Sequence, residues 1–120
     1  MNLWVMTPKA GVAEVTAHEE KNFSAEVKRI GSTLKCSLTG RLDTITAPGF
    51  LALYKEAANK DKITRIEVDM KDLDYISSAG LRTLLIMKKG LEADDTFILL
   101  NMNSTVTEIM ETTGFDSIFC

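Results

Sequence analysis

The sequence predicts an α/β fold: a mixed β-sheet, opened by an antiparallel hairpin and continued through parallel β-α units, covered by helices. Two patterns and one bound carry this. Apolar and polar residues alternate with period two from Phe23 to Thr39, interrupted by Gly31-Ser32. From Thr46 onward, short β-favouring runs take turns with stretches whose apolar residues recur at helical spacing. The chain has 120 residues, 45% hydrophobic and 26% charged, which is the size and balance of one globular domain.

Residues 1–21 are weakly patterned, with Pro8, Gly11 and the run His18-Glu19-Glu20-Lys21, and read as an N-terminal arm ahead of a domain at 22–120. Trp4 and the sole histidine, His18, fall in that arm, which reads as a loose terminus with a surface histidine or as a partner-contacting segment. Phe23, Ala25 and Val27 alternate with Ser24, Glu26 and Lys28 as a half-buried strand. After the Gly31-Ser32 turn, Leu34, Cys36 and Leu38 alternate again to Gly40-Arg41-Leu42-Asp43, completing an antiparallel hairpin. Cys36 falls on the apolar phase, as a small core residue would.

Thr46, followed by Ala47-Pro48, has the hydroxyl cap and first-turn proline of a helix start. Phe50, Leu53, Tyr54, Ala57 and Ala58 make its apolar stripe, and Asn59-Lys60-Asp61 ends it. Ile63 to Asp69 is a second kind of strand, extended after a kink by Leu73 to Ile76. Ser77-Ser78 then open a strong helix with Leu81, Leu84, Leu85 and Leu91 on one face and Arg82, Lys88 and Lys89 on its remaining surface. Phe97-Ile98-Leu99-Leu100 is long enough for a buried strand and too short for a helix. Thr105 and Glu108 have capping-box spacing before the face Val106, Ile109, Met110 and Thr113. Gly114 stops that helix, and Phe115 to Phe119 closes the chain as a short apolar turn. Strands joined through helices imply parallel pairing with right-handed crossovers.

Several function classes are excluded by what is missing. The formal net charge is −3, against the basic face that nucleic-acid or anionic-membrane binding needs. No run approaches a membrane span or a signal-peptide core. Cys36 and Cys120 are far apart and form neither a CxxC pair nor a disulfide framework, so a reducing, cytoplasmic setting is expected. One histidine cannot build a multi-histidine metal site, and no phosphate-binding glycine loop is present. Asp69, Asp72 and Asp74 read as solvated loop residues at a strand end rather than metal ligands. The expectation is no enzyme, no catalytic residue, no metal and no cofactor.

The informative segment is Tyr75-Ile76-Ser77-Ser78-Ala79-Gly80-Leu81-Arg82, where a strand hands over to a helix amino terminus. Hydroxyls there cap the helix; they also stand where a phosphoryl group would be hosted, because the terminal N–H groups attract anions. Ala79 and Gly80 are small and are expected to keep the corner open.

This segment, with Leu38-Thr39-Gly40-Arg41-Leu42-Asp43, Val68 to Leu81, Phe97 to Asn101 and Gly114 to Phe119, resembles the STAS domain family, specifically its free-standing bacterial anti-sigma factor antagonists, over about residues 22–119. The resemblance implies a phosphorylation-controlled partner switch. In such systems the unmodified antagonist binds an anti-sigma factor serine kinase and so frees a sigma factor; a metal-dependent serine phosphatase resets the modified form. The modified serine stands two residues before the motif glycine, which is Ser78 here, with Ser77 as the alternative target. Ser77 replaces the family's usual aspartate. The implied partner-binding residues are Asp43, Ser77, Ser78, Ala79, Gly80 and Arg82, with no direct nucleic-acid or membrane partner. Two other readings stay open: a constitutive interaction subunit of a larger complex, as in lipid transport, and a small-ligand or nucleotide-binding module.

Overall fold

A computed structural model describes residues 2–6, 14–58 and 62–119. Strands β1 (Asn2–Met6), β2 (Glu14–Glu20), β3 (Phe23–Ile30) and β4 (Thr33–Leu42) pair antiparallel in succession, and β5 (Arg65–Ile76) and β6 (Thr96–Leu100) continue the sheet in parallel. Helices α1 (Ala47–Ala58), α2 (Ser78–Lys89), α3 (Ser104–Thr113) and the four-residue α4 (Asp116–Phe119) complete the order. The mixed sheet, antiparallel first and parallel later, is the fold class the pattern predicts, with β1 and β2 added ahead of the expected hairpin. Parallel neighbours cannot be joined by a tight turn, so α1 and α2 serve as the crossovers.

Alternation decides which face is buried. In β3 and β4 the buried residues are Phe23, Ala25, Val27, Arg29, Leu34, Cys36, Leu38 and Leu42, while Lys28, Lys35 and Ser37 of the other phase are exposed. The register carries one such row, Val27 beside Cys36 beside Val68, across three strands. Phe50, Leu53, Leu81, Leu84, Met87, Val106 and Met110 from the helices close over that face. Fully burying one such aliphatic or aromatic side chain contributes about 1.5–3 kcal/mol before entropy is subtracted. The Cys36 thiol is fully enclosed, and burial pushes its pKa up to about 12, as expected of a packed rather than reactive cysteine.

The structure corrects the sequence reading in several places. Glu14–Glu20, expected within a loose arm, is a strand paired with β3, and His18 is 2% exposed rather than on the surface. The kink in β5 is a pair of bulges, where its register against β4 slips between Ser37 and Thr39 and again between Gly40 and Arg41. Asp69, Asp72 and Asp74 therefore lie within a strand, not a loop. The buried face of α2 is Gly80, Leu81, Thr83, Leu84 and Met87; Leu85 is half-buried and Leu91 lies past the helix end at Gly90. The cap of α3 is Asn103, whose side chain accepts the Val106 N–H, rather than Thr105. Phe115 to Phe119 contains a short helix instead of a plain turn. The expected stop of α1 at Asn59-Lys60-Asp61, and Cys120, lie outside the described residues. Among the described residues no helix is long and apolar enough to cross a membrane.

Candidate functional site

The site is the corner at which β4 and β5 end together. The Ser77 N–H donates to the Leu42 carbonyl at 2.9 Å, tying the two strand ends. Ser77 is extended, with φ −93° and ψ 175°, and its Oγ accepts the Gly80 N–H at 3.3 Å. It is the cap of α2, satisfying one of the helix's free donors. Ser78 is the first residue of α2 and is exposed. The two adjacent hydroxyls are thus inequivalent: one is engaged in the helix start, the other faces solvent.

Gly80 differs from its expected role. It is buried, and a Cβ built there would lie 2.7 Å from Ile76 Cγ1 and 2.8 Å from the Leu42 carbonyl oxygen. Its smallness lets α2 approach the strand ends; it does not present a surface. Ala79 is half-buried, and its carbonyl accepts the Thr83 hydroxyl at 3.1 Å. Arg82 is exposed one turn after Ser78 on the same helix.

Asp43 follows Leu42 and is partly exposed, but its carboxylate turns inward on the loop before α1. Its Oδ1 accepts the N–H groups of Ile45 and Thr46 at 3.0 and 3.1 Å. The Thr46 N–H is the main reason its carboxyl is held below the usual carboxylate range, with Arg41 at 3.9 Å a lesser one. The Thr46 hydroxyl takes the Asp43 N–H at 2.9 Å and donates to the Arg41 carbonyl at 2.7 Å. It locks the turn rather than capping the helix ahead of it, as the sequence suggested. That turn carries Ile45, 79% exposed, at its tip. Arg41 also lies over the Tyr75 ring, 4.4 Å from the centroid, so the last residues of both strands are coupled.

A groove of about 430 Å³ runs beside the serines, between Tyr75, Ile76, Ser77, Ser78 and Leu81 on one side and Thr105, Glu108, Ile109, Thr112 and Thr113 of α3 on the other. Sequence reasoning missed the α3 wall and the Ile45 tip. The signal for the wall was the polar run Thr105, Glu108 and Thr112, opposite the buried Val106 and Met110. Among the described residues no group of three or more His, Cys, Asp or Glu side chains could hold a metal ion.

The family model of the STAS domain matches residues 24–119. A protein of Bordetella bronchiseptica named for anti-sigma factor antagonism, BtrV, is 43% identical over 92 residues, covering 76% of this chain and 78% of that one. An anti-sigma factor antagonist from Mycobacterium paratuberculosis superimposes with a TM-score of 0.70 at 18% identity, over 81% of this chain and 82% of that one. The antagonist SpoIIAA in its unphosphorylated form gives 0.69 at 23% identity, over 80% and 85%. At such identities these structures speak for the fold, and they agree with the mixed sheet described above.

Proposed function

The chain belongs to the STAS domain family, and from that premise we propose that it is an anti-sigma factor antagonist working as a phosphorylation-controlled partner switch. Unmodified, it binds an anti-sigma factor that is also a serine kinase, and a sigma factor is released. The kinase transfers the γ-phosphoryl group of ATP to Ser78 Oγ, the hydroxyl proton is lost and ADP leaves. A serine phosphatase hydrolyses the ester and resets the protein. The chain itself acts by binding, in the cytoplasm, without catalysis of its own.

One observation carries the choice of residue: Ser78 is exposed at the start of α2, while Ser77 is occupied as its cap. A phosphoryl group adds about −1.5 to −2 charges at neutral pH. In an interface that also includes the Asp43 carboxylate, such charge is repulsive and costly to desolvate. A loss of about 3 kcal/mol weakens a complex roughly a hundredfold. Asp43, Ser78 and Arg82 are the residues we assign to the contact surface, with the exposed Ile45 added. Ala79 and Gly80 support it from behind.

The small-ligand reading draws on the groove beside the serines. Its lining contains hydroxyls, apolar side chains and the Glu108 carboxylate, but no lysine or arginine among the described residues to meet a nucleotide phosphate. The switch is therefore favoured. Incubation with a candidate kinase and ATP, followed by mass mapping, should find the phosphoryl group on Ser78 and none in Ser78→Ala. Modification of Ser77 instead would overturn the assignment. Ser78→Asp should weaken kinase binding about tenfold or more, whereas unchanged binding would return the chain to the constitutive-subunit reading.

A further inference from the structure

We propose that Arg82 is the internal receptor of the phosphoryl group on Ser78, an inference that rests on the Ser78 reading above. Ser78 and Arg82 are four residues apart on α2 and both are exposed. That spacing stacks the two side chains on one face of the helix. The order is the favourable one, with the anion on the amino-terminal side and the cation one turn later. Arg82 makes no ion pair among the described residues, so its guanidinium is available. The neighbouring Arg41 is committed elsewhere, over the Tyr75 ring and toward Asp43. Among the described residues, Glu108 is the one charged residue lining the groove beside Ser78. A dianion at Ser78 is therefore repelled from the groove and drawn along the helix toward Arg82.

The guanidinium fork meets phosphate oxygens with two parallel N–H···O bonds, which a lysine cannot do. Pairing has a consequence for the switch. Modification adds an anion to the docking face and at the same time takes a cation away from any partner carboxylate. The exposed face of α2 changes character with one covalent event, and no rearrangement of the sheet is needed.

The test installs phosphoserine at position 78 during translation of the full chain, so that no kinase is involved. The second ionisation of the phosphate is then followed by phosphorus NMR in the parent, in Arg82→Gln and in Glu108→Gln. A pairing cation favours the dianion, so Arg82→Gln should raise the second pKa by about 0.3 unit or more. Glu108→Gln should lower it. An unchanged pKa in Arg82→Gln overturns the proposal, whatever the Glu108 variant does. Failure of any kinase to modify Ser78 would instead undo the proposed function and leave this titration as it is.

Discussion

A single methyl group at position 80 would reach the packing that holds the corner together. It would lie 2.7 Å from Ile76 Cγ1 and 3.0 Å from Leu42 Cγ, with the Leu42 carbonyl oxygen at 2.8 Å. That oxygen is the one that accepts the Ser77 N–H, so moving α2 away from it loosens the strand-to-helix junction itself. Overpacking of this kind costs about 1–3 kcal/mol. Gly80→Ala should lower the denaturant midpoint accordingly and also weaken partner binding, because Ser78 and Arg82 ride on the displaced helix. An unchanged midpoint would mean that α2 slides freely over the strand ends. The residue scale also separates two serines that look alike in the sequence. Their difference, cap against exposed first-turn residue, is set by one backbone torsion and one hydrogen bond.

Among the elements, α3 is anchored by its buried Val106 and Met110 and, at its start, by Asn103. Its Oδ1 caps the helix at the Val106 N–H, 3.0 Å away, and its Nδ2 donates to the Leu73 carbonyl of β5 at 2.6 Å. Asn103→Ala removes both bonds, leaving a helix donor and a strand acceptor unmet, and should cost about 1–3 kcal/mol in thermal or denaturant unfolding. The groove beside Ser78 should widen with it, visible as shift changes at Glu108 and Thr112. Much of the element order was legible in the sequence for a physical reason. In β3 and β4 the buried phase is apolar except at Arg29 and Gly40, so the period-two signal survives. Strand β2 hides because its buried positions are Thr16 and His18, polar residues that satisfy themselves locally. Thr16 donates to the Val27 carbonyl, and His18 pairs with Glu20 at 2.7 Å beneath Gly49 of α1. An alternation of hydrogen-bonded polar residues leaves no hydrophobic trace. The cap of α3 was misread for a related reason: Thr105 and Glu108 match a capping-box spacing, but the geometry of the turn from β6 brings Asn103, two residues earlier, to the helix end. The corner serines were legible because the junction is a local sequence event, whereas the α3 wall of the groove depends on packing between segments far apart in the chain.

At the scale of the whole molecule the question is whether β1 and β2 belong to the cooperative unit. From Val15 onward, every buried apolar side chain lies at or after Phe23. The polar Thr16 and His18 are what β2 adds to the interior, together with its pairing along β3 from Glu14–Arg29 to Glu20–Phe23. We propose on this ground that a chain beginning at Asn22 keeps the domain's fold. Hydrophobic burial is the main favourable term in folding, and Val15 to Glu20 of β2 contribute no buried apolar side chain to it. What is lost is a row of strand hydrogen bonds, each worth about 0.5–1.5 kcal/mol net and partly replaced by water. The cover that His18 and Glu20 give to Gly49 on α1 goes with it. The truncated chain should therefore unfold in one cooperative step at a lower midpoint and retain its affinity for the partner, since the corner at Ser78 lies at the junction of β5 and α2. Its newly bared β3 edge should also make it more prone to self-association at high concentration, because an unpaired edge is a template for another strand. Circular dichroism across a denaturant series, with sedimentation at two concentrations, reads both effects. A chain from Asn22 that shows no cooperative transition would mean that the polar interior of β2, not the apolar core alone, decides whether this sheet forms.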